Sequence, residues 1–248
     1  MNIPEFSNNF TVMLSDFNHS AQFGNQSSNK EIVLNEHEKS VFLTLAQESL
    51  LLSLYDGKNV TKESFESNEE SRRLLSNLIE EAELTPLTNT SGNFIGMGTN
   101  SYYFTLPDGS GTKPAVWFLT YESVTVSYED GGTCGDTGVL EVIPVKQDEY
   151  HKLKKNPFRG ANDRRALRLD LADNNVEVVS NYTVTKYYIR YLKKPTPIVL
   201  ANLYDGVTID GVSTPTECIL HESLHPKILE IAVKMAIQSK GYQLNQNN

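Results

Sequence analysis

Apolar residues in the first third of the chain recur at helical spacing in two places. Asn35-Glu36-His37-Glu38 has the form of a capping box, and apolar residues follow it at helical spacing as far as Asp56-Gly57. The first helix is therefore predicted between the box and that stop. A second helix is predicted from Asn68 to Pro86. Its apolar face consists of Leu74, Leu75, Leu78, Ile79 and Ala82. Together these segments predict a helical hairpin over residues 31–90.

The first thirty residues follow no such period. They are rich in Asn, Ser, Gln and Phe, and the stretch from Ser20 to Lys30 is polar. This composition is typical of an irregular segment. We expect residues 1–30 to form an extended N-terminal arm.

From residue 91 the apolar positions begin to alternate with polar ones, as they do in strands. Strands are predicted at residues 102–104, 116–128, 139–145, 167–171, 176–179 and 182–192. Asp173-Asn174-Asn175 predicts a hairpin turn between two of them. A short helix is predicted near 147–155, ended by Asn156-Pro157. Residues 91–220 therefore form a β-rich region, predicted to be antiparallel and barrel-like or sandwich-like.

The strand at residues 182–192 has bulky side chains on both faces. They include Tyr187, Tyr188, Ile189 and Tyr191. A strand that is apolar on both sides has to be covered on both sides, by its own chain or by a neighbouring subunit.

The last helix is predicted from Pro226 to Gly241, within the C-terminal region 221–248. Its polar residues form one narrow stripe, so most of its circumference must be buried in a core or an interface. The polar stripe consists of Lys227, Glu230, Lys234 and Gln238. We expect this helix and the helical hairpin to form one integrated domain of the α+β class, with the strands in a second layer.

The composition excludes several classes of protein. With 39% apolar residues among 248, the chain can form a core, and no apolar run approaches the roughly 18 residues needed to cross a bilayer. The N-terminus lacks the pattern of a secretory signal, so we expect folding in the cytoplasm and no membrane partner. A net charge of −9 argues against a protein that coats nucleic acid.

Cys134 and Cys218 match no metal-ligand spacing and are predicted to be small buried residues.

One run matches a catalytic motif. His221-Glu222-Ser223-Leu224-His225 has the pattern of zinc proteases, in which two histidines one helical turn apart bind the metal and the glutamate is the general base. Here Pro226 follows the second histidine, and a residue before proline is disfavoured in the α conformation. We therefore expect His225 to precede the helix. The match is interpreted as accidental, with no catalytic, cofactor-binding or metal-binding residues in the chain.

Two further stretches invite a binding hypothesis. The glycine-rich run at 131–138 lacks the Gly-Lys-Ser/Thr ending of a phosphate loop and is predicted to be a hairpin loop. The basic stretch 146–168 either contacts phosphates or forms a solvated or intersubunit face, and the net charge favours the second interpretation. The Lys and Arg residues of this stretch are Lys146, Lys152, Lys154, Lys155, Arg159, Arg164, Arg165 and Arg168.

Several segments together resemble structural proteins of crAss-like and related podoviral phages, in the class that forms rings or connectors below the portal. The segments are Glu38 to Glu48, Phe65 to Leu75, Asp148-Glu149-Tyr150, Asn156-Pro157-Phe158, Arg165 to Asp170, Tyr188 to Ile198, Cys218-Ile219-Leu220, and His225-Pro226 with Ile228 to Val233. They span most of residues 31–240.

The resemblance implies a homo-oligomeric ring in the neck or tail barrel, twelvefold to match a portal. Such a ring is stacked on the portal and on neighbouring tail rings around the phage DNA, without sequence-specific binding and without a cofactor. It is a virion component assembled in the host cytoplasm. The alternatives are a zinc hydrolase using His221, Glu222 and His225, a nucleic-acid-binding module using residues 146–168, and a capsid or cargo protein.

Overall fold

The computed structural model describes residues 1–23, 32–56, 65, 68–87, 101–128, 137–154, 156–204 and 206–239, and the side chains of residues 18–23 are not described. The chain divides into two compact units, one formed by residues 1–78 with 195–248 and the other by residues 79–194. The described elements in chain order are α1 (Ile3–Phe23), α2 (Glu36–Tyr55), α3 (Glu69–Leu74), β1 (Ile79–Leu84), β2 (Ser101–Thr105), β3 (Val116–Ser127), β4 (Thr137–Pro144), α4 (Gln147–Lys154), β5 (Arg165–Asp170), β6 (Asn175–Val179), β7 (Thr183–Lys193) and α5 (His225–Ser239), with short 3-10 helices at Ser76–Leu78 and Glu222–Leu224.

In the first unit, the helix predicted after the capping box is confirmed as α2. The Asn35 side chain accepts a hydrogen bond from the Glu38 backbone at 2.8 Å, and the Glu38 carboxylate accepts one from the Asn35 backbone at 3.1 Å. The helix ends at Tyr55, and Asp56 is its C-cap. The signal was local and strong, because it pairs a cap with a continuous apolar period.

The predicted extended arm is wrong for residues 3–23, which form α1. Phe6, Phe10 and Leu14 are spaced four apart and are buried, so they form an apolar stripe among polar residues. The polar side of α1 is fixed as well, because the buried Lys39 ammonium of α2 donates to the Thr11 hydroxyl at 2.9 Å. A narrow stripe of three side chains was too weak to show a helical period in a segment rich in Asn and Ser.

The predicted helix from Asn68 to Pro86 is also wrong beyond Leu74. Ser76–Leu78 is a 3-10 turn, and Ile79–Leu84 is the strand β1, paired antiparallel with β7 so that Ala82 lies opposite Ile189. The residues also fit a helical face, but pairing with a distant strand overrides the local preference. The predicted hairpin partner of α2 is therefore replaced, and α2 packs chiefly against α5.

A segment of irregular chain, residues 196–200, runs along α2 and is bonded to it by buried polar side chains. The Gln47 amide donates to the Thr196 carbonyl at 2.9 Å, and the Thr44 hydroxyl accepts from the Ile198 N–H at 3.1 Å. The Ser40 hydroxyl accepts from the Leu200 N–H at 3.0 Å. These three side chains lie on one face of α2, and they satisfy backbone groups that no strand or helix satisfies.

The second unit contains a seven-stranded sheet of order β1-β7-β3-β4-β5-β6-β2, which confirms the α+β class. The described strand pairs are antiparallel, as predicted for this region, except that β4 and β5 are parallel. Parallel neighbours need a crossover, and α4, which confirms the helix predicted near 147–155, lies in that connection. The β5–β6 hairpin is confirmed, with Asp173 and Asn174 both at a φ of 57° as a primed turn requires.

The two faces of the sheet differ in how well they are covered. On one face Tyr187, Ile189 and Tyr191 are buried in the main core. On the other face of β7 and its neighbour β3, Tyr188 is half-buried and Tyr121 is exposed, with the two ring centroids 6.3 Å apart. The chain therefore covers one side of this strand and leaves part of the other open.

Replacing Thr44 with valine tests the bonding between α2 and residues 196–200. Valine has the same shape but no hydroxyl, so both the N–H and the carbonyl of Ile198 lose their Thr44 partner in a buried site. We expect a loss of about 1–3 kcal/mol in the free energy of unfolding, measured by urea denaturation. Thr137→Val, at an exposed strand position, is the matched control and should change stability by less than about 0.5 kcal/mol. Equal effects of the two variants would contradict the assignment.

Candidate functional site

The run from His221 to His225 lies at the junction between irregular chain and α5. Glu222–Leu224 is a 3-10 turn, and His221 precedes it as an exposed cap whose Nδ1 lies 2.8 Å from the Ser223 hydroxyl and accepts from the Ser223 N–H at 3.3 Å. The expectation that Pro226 forces His225 out of the α conformation is wrong, because His225 has φ −57° and ψ −44°. The helix is nevertheless not continuous through both histidines.

Both ring nitrogens of His225 are engaged within the protein. Its Nδ1 lies 2.7 Å from the Met1 ammonium, and its Nε2 lies 3.1 Å from the Leu220 carbonyl. An ammonium can only donate, so Nδ1 accepts and the ring proton lies on Nε2, where it is donated to Leu220. The ring is 3% exposed and packs against Phe6 with centroids 5.1 Å apart. Burial and the Met1 charge lower the pKa of His225.

The His225 side chain differs from a zinc-protease ligand in the availability of its nitrogen lone pair. A metal ligand needs an available nitrogen lone pair, and the lone pair of His225 is already used. Among the described residues, no group of three or more His, Cys, Asp or Glu side chains is placed to hold a metal ion. The junction is therefore packed as a structural element that anchors α1 to the start of α5.

The described cysteine is also not arranged as a nucleophile. The Cys218 thiol donates to the Gln47 side-chain carbonyl at 3.4 Å, and burial raises the pKa of the thiol to about 11. A thiol with a raised pKa is protonated at neutral pH and reacts slowly. Cys134, like most of the glycine-rich run, lies outside the described residues. Gly138 lies in β4, where a Cβ would overlap the ring of Tyr128, so this glycine permits a close internal contact.

The cations of the basic stretch differ in their exposure to solvent. Lys152 on α4 is exposed, as are Arg159 and Arg164 in the loop that follows. Arg168 is buried, and its guanidinium pairs with Glu122, which also accepts from the Tyr187 hydroxyl. The hypothesis that Arg168 faces phosphates is therefore wrong. Lys155 lies outside the described residues.

Two exposed features were not identified from the sequence. The first is the Phe158 loop, residues 156–164, in which the Phe158 side chain is 83% exposed. The second is a hairpin-like segment, residues 199–216, in which Tyr204 is 88% exposed. An aromatic residue between turn-forming residues, as in Asn156-Pro157-Phe158, is the only local signal for the first. A single exposed aromatic side chain such as Tyr204 produces no hydrophobic periodicity in the sequence.

A shallow groove lies on the outer side of the α2–α5 pair. It has a volume of about 570 Å³ and an apolar floor of Leu45, Leu52 and Met235. We name it the α2–α5 groove, and its remaining lining residues are Glu48, Ser49, Ser53 and Asp56. The lining of the groove thus combines apolar side chains with two acidic ones. None of the described helices combines the length and apolar character needed to cross a membrane.

Two known proteins that resemble this chain belong to the same class of protein. The chain is 41% identical over 237 residues to "Ring protein 3" of Bacteroides phage crAss001, an alignment that covers 95% of both chains. It is 31% identical over 245 residues to "Ring protein 4/5" of the same phage, covering 95% of this chain and 92% of the relative. These similarities define a structural component of a phage tail.

The family follows from the match across the whole chain. The family model described as phage tail ring protein 3/4 matches residues 1–248. The chain therefore belongs to the phage tail ring protein 3/4 family. The resemblance to ring proteins of crAss-like phages that the sequence segments indicated is confirmed.

Substitution of the two histidines separates structural from metal-binding roles. His225→Ala should lower the free energy of unfolding by about 2–4 kcal/mol, because it removes a buried ring and leaves the Leu220 carbonyl without its donor. His221→Ala should cost only about 0.5–1 kcal/mol, the value of a cap. Urea denaturation with and without a chelator measures both. A chelator-dependent stability that either substitution abolishes would contradict this assignment.

The lowered pKa of His225 predicts a dependence of stability on pH. The unfolded chain takes up a proton on this imidazole near its ordinary pKa of about 6.5, whereas the folded chain resists it. The contribution of His225 to the free energy of unfolding is therefore fully present above about pH 6.5, and it decreases as the pH falls below that value. Urea midpoints between pH 8 and 5 should show this decrease in the unsubstituted chain and in His221→Ala, and a smaller one in His225→Leu.

Proposed function

We propose that this protein forms a homo-oligomeric ring in the neck or tail barrel of a crAss-like phage, acts without catalysis, and bridges the portal and neighbouring tail ring proteins. The whole-chain match to a tail ring family carries this proposal. The ring has twelve subunits to match a portal, is a virion component, and is assembled in the host cytoplasm. Phage DNA passes through its lumen without sequence-specific contact.

The surface of the chain supports association with other protein surfaces. Phe158 and Tyr204 present large apolar side chains to solvent, and Tyr121 is exposed on the open face of the sheet. Exposed aromatic residues of this kind are enriched at protein interfaces. The motif at residues 221–225 gives no such support to a catalytic role, because its second imidazole is bonded internally.

The charge distribution supports a lumen that does not retain DNA. The net charge of −9 repels phosphates, and residues 146–168 hold eight of the 22 Lys and Arg residues. Arg168, inside that stretch, neutralises Glu122 in the core and is not available to a phosphate. A nucleic-acid-binding module would need these cations on one open face.

Assembly on its partners tests the proposal. The chain is co-expressed with the portal and the other tail ring proteins of the same phage, and the complexes are imaged by negative-stain electron microscopy. We expect closed rings of twelve copies stacked with the portal, and a parallel sample of the chain alone shows whether the template is required. A chain that stays monomeric with all these partners overturns the proposal. Tight binding to duplex DNA with a steep salt dependence would instead support the nucleic-acid hypothesis.

A further inference from the structure

We propose that neighbouring copies in the ring contact each other head to tail, with the Phe158 loop of one copy seated in the α2–α5 groove of the next. This inference rests on the proposed ring and names the surfaces that form it. The two surfaces lie on different units of the same chain, so each copy presents one of each. A contact between two different patches is heterologous, and heterologous contacts generate closed rings when the rotation closes.

The Phe158 loop is preorganised to project its aromatic side chain. The Asn156 side-chain carbonyl accepts from the Phe158 N–H at 2.9 Å, and the Asn156 backbone carbonyl accepts from the Arg159 and Gly160 N–H groups at 3.2 and 2.8 Å. Gly160 is buried, and a Cβ there would lie 3.0 Å from the Asn156 carbonyl, so the turn leaves no space for another side chain. A loop held in this way loses little conformational entropy on binding.

The α2–α5 groove offers a matching apolar floor. Leu45 and Leu52 are seven residues apart on one face of α2, and they are 47% and 40% exposed. Met235 of α5 completes the floor, and its flexible thioether side chain can adapt to an aromatic ring. An aromatic side chain that fills a pocket of this kind is the usual anchor of a protein interface.

Charge complementarity selects a second copy of this chain as the occupant. Residues 146–168 contain eight of the 22 Lys and Arg and three of the 31 Asp and Glu, which leaves 14 cationic and 28 acidic residues in the other 225. The exposed Lys152, Arg159 and Arg164 lie on or near the loop, whereas Glu48 and Asp56 line the groove. The basic loop of one copy is thus attracted to the acidic remainder of another, and like surfaces are kept apart.

Single substitutions on each side of the contact provide the first test. Phe158→Ala removes the anchor, and Leu45→Lys places a cation in the groove where the basic loop would lie. Each should raise the concentration at which half of the protein is assembled by at least about tenfold, measured by mass photometry under the conditions in which the unsubstituted chain forms rings. Val33→Ala, at an exposed apolar position that belongs to neither surface, is the control and should assemble normally. Urea denaturation of each variant confirms that it is folded.

Mixing the two variants gives the decisive measurement. Phe158→Ala retains an intact groove and Leu45→Lys retains an intact loop, so a mixture contains one productive contact and should give heterodimers but no rings. Each variant alone should remain monomeric. Rings formed normally by either variant, or a mixture without heterodimers, overturn this inference while leaving the proposed ring intact. A lack of rings from the unsubstituted chain, even with portal and tail partners, would instead reject the proposed function itself.

Discussion

The first unit depends on three buried hydroxyl and amide side chains of α2. Ser40, Thr44 and Gln47 bond to the backbone of residues 196–200, which belong to neither a helix nor a strand. Buried peptide groups without partners would be costly, so this segment can lie inside the unit only where α2 presents that polar stripe. The remaining buried face of α2 packs against α5, and the outer edge of the same pair forms the α2–α5 groove.

The same requirement governs the second histidine of the His221–His225 run. A histidine buried beside Phe6 has to satisfy both ring nitrogens, and His225 does so with Met1 and Leu220. Pro226 was expected to keep His225 out of the α conformation, and that expectation is wrong, since His225 adopts it. The lone pair of His225 is taken up by Met1, more than two hundred positions away, and a contact of this range has no local signature in the sequence.

Elements that are set by local interactions were predicted from the sequence, whereas elements that depend on distant residues were not. The capping box at Asn35 and the turn at Asp173–Asn174 are local signals, and α2 and the β5–β6 hairpin were predicted correctly from them. Ile79–Leu84 was assigned to a helix because its strand partner is β7, more than a hundred residues away. The candidate contact surfaces were missed for a related reason. Phe158 is exposed because no other part of the described chain packs over it, and a local sequence pattern does not contain that information.

The uneven charge of the chain links the contact between copies to the passage of DNA. In a head-to-tail ring, the basic loop of every copy is engaged by the acidic groove of its neighbour, so the cations are withdrawn from other contacts. The rest of the chain has 28 acidic and 14 cationic residues, and this acidic excess repels phosphates. In the proposed ring, head-to-tail pairing of Phe158 loops with grooves would therefore join the subunits and also leave a surface that disfavours contact with DNA.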